Sequence, residues 1–593
     1  MGYFPLIKSR PVKRNVGVIR AFWTWNPVSS VEFRPFDEPY MLAHNEWLFD
    51  KDLWRELFRK MADYGFNGMV FANTHPFPYM IEYERFPEAR MLDAAELARY
   101  QEIYRWIFRE GLSHGIETYL LFFSIYYPDP LLKRLGLHDQ EAYSVNDSAI
   151  DYTRYCVEQL LMAYPNLGGV IGDASENIKG GRGEFLREAI VRPFERIAAG
   201  KKLILRGWCS DFEELRNEVA AQTKVPIIYS VKYTWEHLVH ENPDRMFLEW
   251  VSSAGAENVM AELWISNFEP LTCFAYSTVE GILANLRNLG CPGFSLHPLS
   301  MYEWPLTSDR CWEHQFDRDA AWYCAWGERP EAIPDEQKAL VEDEELRAGL
   351  EAASETGKLA ALYFAGDKQN QWHPQFCSIR HADGVRLLTI EDMCNLGDPH
   401  IQALTGTSEA FDSLDWMTQL TGHPTKHFED LGPAYGRLYG PEEFAADMDS
   451  LVDKALSGIA TAKGKYRSKG QRCLLRHAAA QALLGRFWAE RARAGIAHTE
   501  LRLSAAVSHM QAALGAFRQL EALEGTHRNP FRVLTGRCAQ ANGWDTPRRA
   551  LQAELADYRA GNISGRYYAG KIEHRDSPTT AHGKLEWQKK RKR

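Results

Sequence analysis

Eight apolar, β-rich runs recur along the first half of the chain, with helical patterns filling most of the intervals between them. In order they read NVGVIRAFW, FNGMVFAN, IETYLLFFS, LGGVIGD, KKLILRGW, VPIIYSVKY, NVMAELWIS and CPGFSLHPL. Strands that are apolar throughout are buried on both faces, which marks a parallel sheet covered by helices. Segments such as DLWRELFRKMADYG and STVEGILANLRNLG carry helical periodicity. Four of these helical segments stop at Gly65, Gly115, Gly200 and Gly290, where a left-handed terminal turn is expected. Eight such units in succession predict a closed (β/α)8 TIM barrel over residues 1–326. An open, doubly wound sheet is the competing arrangement, but no GxGxxG or phosphate-loop motif follows any run to favour it.

At 593 residues the chain exceeds the roughly 250–300 that one core usually serves, so a second unit is expected. GERPEAIPDEQK, rich in charge and proline, reads as the start of a linker over 327–345. Beyond it a mostly helical C-terminal domain is expected over 346–570. There Leu503, Ala506, Met510, Leu514, Phe517 and Leu520 share one helical face. It is expected to border the barrel mouth or to form a homo-oligomer interface. The last residues, 571–593, end in KLEWQKKRKR and read as a solvated, disordered basic tail.

The formal charge of −10 gives no general attraction for nucleic acid. Ten cysteines without a CxxC pair suggest neither a disulfide framework nor a zinc site, and a reducing compartment is expected. No run reaches the roughly 20 apolar residues of a membrane span, and the N-terminal stretch lacks the apolar core of a signal peptide. Leu6 breaks the myristoylation pattern after Gly2. A cytoplasmic protein with no membrane partner is the resulting expectation.

Barrel chemistry lies at the C-terminal ends of the strands, so those positions are the candidate site. They hold Trp23 and Trp25 after the first run, Asn73 and His75 after the second, and Ser124 and Tyr126 after the third. Asp173 and Glu176 follow the fourth, and Arg206 and Trp208 the fifth. Lys232 ends the sixth with Glu236 beyond it, Glu262 and Trp264 lie on the seventh, and His297 ends the eighth. Two carboxylates facing each other across a sugar can supply the acid and base of glycosidic cleavage. Tryptophan faces stack on pyranose rings, and the chain has 18 tryptophans to draw on. Arg206 and Lys232, on adjacent strands, suit a substrate carboxylate or phosphate.

Each residue also has a structural use. Asp173 could cap a helix or hold a salt bridge, and Glu262 could be a buried partner of Lys232 or Arg206. His75 could be a loop histidine, His297 a satisfied core residue, and Trp23 or Trp25 simple packing. A metal centre is not expected, because the histidines show no tight ligand spacing.

At the strand ends the segments DASENIKG, ILRGW, SVKYTWEH and AELWISNFEP resemble, in that order, those of the α-glucuronidase family of glycoside hydrolases. The resemblance implies inverting release of glucuronic or 4-O-methylglucuronic acid from xylan-derived oligosaccharides, with no cofactor. It puts Glu176 in the place of the general acid and Arg206 and Lys232 on the uronate carboxylate. Glu236 stands where the family has an aspartate, with His237 as a competing candidate, and Glu262 and Glu269 match the strand 7 segment. Glu262, assisted by Glu236, would then activate water. Asn177 replaces the family's glycine after the acid, and the family's β-domain has no counterpart ahead of the first run. A glycosidase for a neutral or acetamido sugar and a non-catalytic sugar-binding barrel remain alternative readings. As general acid, Glu176 would need a raised pKa, which burial or Asp173 nearby could supply.

Overall fold

The structure is a computed structural model. It describes residues 19–25, 46–73, 75–123, 127–137, 145–174, 178, 180–198, 200–207, 210, 212–234, 241–263, 275–299, 304–307, 311–365, 378–381, 384–387, 389–390, 426–427, 438–439, 441–525 and 544–563.

Eight parallel strands close into a barrel in sequence order, each hydrogen-bonded to the next and the eighth to the first. They are β1 (Ile19–Trp25), β2 (Gly68–Asn73), β3 (Glu117–Phe123), β4 (Gly169–Asp173), β5 (Lys202–Arg206), β6 (Ile227–Lys232), β7 (Val259–Leu263) and β8 (Gly293–Leu296). All eight lie within the runs read as strands, except that β1 continues through Thr24 to Trp25. Alternate side chains divide cleanly. Ile19, Ala21, Val70, Leu121, Ile171, Ile204, Ile228 and Met260 pack together inside the barrel. Phe22, Met69, Leu120, Val170, Leu203, Tyr229, Ala261 and Phe294 join the larger core under the helices.

The first barrel helix shows how local sequence builds the outer layer. Asp50 accepts from the amides of Asp52 and Leu53 and so caps Lys51–Asp63. Leu53, Trp54, Leu57, Phe58 and Met61 then recur on one face and are buried. Gly65 stops the chain with φ +98°, and a Cβ there would stand 2.4 Å from the Gly327 carbonyl oxygen. That close approach seats the end of the later helix Ala320–Trp326 against the barrel.

Two expected helices are less regular than their pattern suggested. Leu186–Val191 and Leu215–Val219 are π-helical. The first runs into Pro193, which has no N–H to give the carbonyl four residues back. The helix Arg245–Ala254, between β6 and β7, was not among the helical segments read from the sequence; Phe247 and Trp250 are its buried anchors.

Most of the segment read as a linker is itself ordered, with a helix at Asp335–Glu342 whose Gln337 and Leu340 are buried. Beyond it, helices Glu344–Ala365, Pro441–Thr461, Lys469–Thr499, Leu503–Glu524 and Asp545–Ala560 pack together, beside two short antiparallel strand pairs. Ala506, Met510, Leu514, Phe517 and Leu520 are buried as the periodicity required, while Leu503, at the start of the helix, is only half-buried. Ser468 and Gln471 form a capping box that starts the long helix Lys469–Thr499. Buried Lys358 donates to Thr278 Oγ1 at 2.6 Å, tying the helical region to the barrel helix Tyr276–Leu289.

The cysteine spacing gave no reason to expect a disulfide, yet Cys311 and Cys473 are joined. They lie 162 residues apart, so only the packing of the helical region on the barrel brings them together. No helix among the described residues is long and apolar enough to cross a membrane. The basic tail lies outside the described residues.

Candidate active site

The inward-facing positions change character at the C-terminal end of the barrel. Two residues beyond Ile171 stands Asp173, beyond Ile204 stands Arg206, and beyond Met260 stands Glu262. Ser230 precedes Lys232 on β6 in the same way, and Ser295 precedes His297 at the end of β8. Together with Trp23 these six form the top interior layer, and none is more than 4% exposed. An apolar barrel interior is thus capped by two acids, two bases, an imidazole and an indole. The strand period of two puts them all on the inside at one level.

Arg206 is the hub of this layer. Its Nε donates to Glu262 Oε2 at 2.8 Å and its Nη2 to Glu262 Oε1 at 2.6 Å. Its Nη1 donates to Asp173 Oδ2 at 2.9 Å. A guanidinium offers five N–H groups, so these three bonds leave two. Burial by itself would raise the Glu262 pKa, but the Arg206 charge outweighs it. With the bonds from Arg206 and the imidazole of His297 nearby, that charge holds the carboxyl well below the usual range. The same two carboxylates keep Arg206 charged against burial. His297 stacks on Trp23 with ring centroids 4.1 Å apart, and its Nε2 lies 3.7 Å from Glu262 Oε1. Burial lowers its pKa to about 4 despite the neighbouring carboxylate, so the ring is neutral at pH 7. The layer therefore holds a fixed, ionised carboxylate, a cation locked in place, and Lys232 paired in register with Glu262.

Asp173, Arg206, Lys232, Glu262, His297 and Trp23 thus come together, and the pairing of Glu262 with Arg206 is the structural use foreseen for it. The contacts described for His75 are to other residues. Its Nε2 lies 3.0 Å from the Tyr152 hydroxyl, which also meets the Tyr83 hydroxyl at 2.9 Å. Burial lowers the His75 pKa to about 3. Tyr152 was not singled out from the sequence. It lies on the apolar face of the helix Asp147–Ala163, where a tyrosine reads as core. Trp25 lies in β1. Ser124, Tyr126, Glu176, Asn177, Trp208, Glu236, His237, Trp264 and Glu269 lie outside the described residues. Among the described residues, no group of three histidine, cysteine or acidic side chains is arranged to hold a metal.

No family model matches the sequence, and no curated protein matches it significantly. Solved structures do match in fold. One is a GH138 enzyme targeting pectin rhamnogalacturonan II, at TM-score 0.73 and 17% identity, over 92% of this chain. The match spans 67% of that enzyme, about two thirds of its length. A Thermobaculum terrenum O-GlcNAc hydrolase aligns over 91% of this chain and 96% of its own at 10% identity, with TM-score 0.35. These structural neighbours are glycoside hydrolases, and the GH138 likeness establishes a common fold extending beyond the barrel.

Proposed function

We propose that the protein is a glycoside hydrolase that releases a uronic acid from oligosaccharides by acid–base catalysis. The observation that carries this reading is the sealed charged layer of Asp173, Arg206, Lys232 and Glu262 at the catalytic end of the barrel. Buried ion pairs rarely add stability over apolar packing of the same volume. A barrel that keeps four ionisable side chains there is spending stability where substrate binds.

In this reading Glu176, three residues past Asp173, protonates the leaving oxygen. Glu262 stays ionised on Arg206 and presents fixed negative charge to the oxocarbenium-like transition state. Being held so far below the usual carboxylate range, Glu262 is a weak proton acceptor. The proton of the attacking water therefore falls to Glu236. Lys232, with the two N–H groups left on Arg206, engages the uronate carboxylate. Trp23 and His297 form the aromatic floor. Pectins are uronic-acid polymers, so the fold shared with a pectin-targeting enzyme is in keeping with this substrate class.

The test is an assay on uronic-acid-bearing and neutral oligosaccharides, with the released anomer followed by NMR. Release of a uronic acid with inverted configuration is the expected outcome. Lys232→Met should raise KM for the uronate substrate at least tenfold, about 1.4 kcal/mol of lost charge-assisted binding. Release of a neutral sugar, unaffected by Lys232→Met, would overturn the uronate assignment. Binding without turnover across the panel would overturn the enzyme assignment.

A further inference from the structure

The Cys311–Cys473 bridge lies where the barrel meets the helical region, and its two sulfurs have unequal surroundings. Cys311 is half-buried in the chain that follows β8, next to Trp312, which packs against Gly470 at the start of the helix Lys469–Thr499. Cys473, in that helix, is wholly buried. Arg476, one turn on, places Nη2 at 2.8 Å from Cys473 Sγ and 3.4 Å from Cys311 Sγ. His477 Nε2 stands 3.7 Å from Cys473 Sγ. Arg476 is aimed by its Nε, which donates to Glu524 Oε1 at 2.9 Å.

From this asymmetry we propose that Cys311 is a thiol–disulfide exchange site whose leaving group is the Cys473 thiolate beside Arg476. Of the two residues only Cys311 is partly exposed, so it is the one an incoming thiolate would attack. The thiolate bonds to Cys311 Sγ, the Cys311–Cys473 bond breaks, and the electron pair leaves on Cys473 Sγ. The guanidinium 2.8 Å away stabilises that charge. A thiolate leaves faster when its charge is stabilised. The partner is a dithiol reductant: its second thiolate displaces Cys311, giving the oxidised reductant and two protein thiols for two electrons and two protons. Exchange cuts the covalent tie between the segment after β8 and the helical region. The bridge is then a releasable strap, not an inert staple.

Three measurements on the full chain test this. Protein unfolded with iodoacetamide before any reductant is added should yield a single linked peptide joining Cys311 and Cys473. Alkylation of both thiols in that sample would overturn the proposal. Folded protein treated with excess reduced glutathione and quenched in acid should carry the mixed disulfide on Cys311. An adduct on Cys473, or no reaction, would refute the direction of attack. Arg476→Gln should slow reduction of the folded protein by dithiothreitol several-fold, and a wild-type rate would remove the arginine from the mechanism. The glutathione mapping uses the unaltered chain and so decides the matter even where the arginine variant fails to fold.

Discussion

Arg206 on β5 and Glu262 on β7 form a two-bonded ion pair that reaches past β6 across the barrel interior, with N–O distances of 2.8 and 2.6 Å. A third bond carries the same guanidinium to Asp173 on β4. Three strands are thereby tied together at the level where substrate would enter.

Removing Glu262 takes away two of the three hydrogen bonds of buried Arg206 and leaves Asp173 to balance its charge. Glu262→Ala is expected to lower stability by about 3–5 kcal/mol. Glu262→Gln, which keeps an acceptor for Arg206, should cost less. Urea unfolding of the two variants checks the order. Near-equal costs would show that the charge, not the hydrogen bonding, holds Arg206 in place.

The two buried histidines set a direction for the pH dependence of stability. His297 and His75 have folded pKa values of about 4 and about 3, below the ordinary value of 6.5. As pH falls from 6.5 toward 4, the unfolded chain therefore takes up protons that the folded chain does not. Stability should fall with pH across that window, by at most about 2.7 kcal/mol per pH unit for two groups. Above pH 7 neither histidine contributes. Urea unfolding at several pH values reads the slope, and His75→Gln should halve it.

Where helices Glu344–Ala365 and Pro441–Thr461 cross, Gly349 meets Gly458. A Cβ on Gly349 would lie 2.8 Å from the Gly458 Cα, and one on Gly458 would lie 2.7 Å from the Gly349 Cα. Alanine in place of glycine inside a helix usually gains about 1 kcal/mol. Here backbone meets backbone, so Gly349→Ala should instead cost about 1–3 kcal/mol through overpacking. Thermal unfolding of the variant gives the sign.

Tyr152→Phe deletes the hydroxyl shared by His75 and Tyr83 while keeping the ring. A loss of about 1–3 kcal/mol is expected, because buried polar groups lose a partner. Tyr83→Phe should cost less, since it leaves the His75 contact intact. Comparing the two by urea unfolding checks that ranking.

Much of the architecture was legible in the amino-acid sequence because its causes are local. Eight apolar runs separated by helical patterns left few arrangements other than a closed parallel barrel. Reading the C-terminal ends of those runs singled out Asp173, Arg206, Lys232 and Glu262. The spacing of Ala506, Met510, Leu514, Phe517 and Leu520 marked the buried face of a helix. These signals are continuous apolar runs and a period of 3.6, and a short window contains them whole.

The pairings were decided only by tertiary structure. Arg206 reads in sequence as a cation at a strand end, and nothing local says that Asp173 and Glu262 will occupy three of its N–H groups. That follows from strand tilt and register, which bring β4, β5 and β7 to one level around a common interior. The same holds for Gly349 against Gly458, and for Cys311 with Cys473 at a separation of 162 residues. A residue's own chemistry is local, but its partner depends on how distant elements pack, and in this chain that packing sets the charge state of Glu262 and the direction of attack at Cys311.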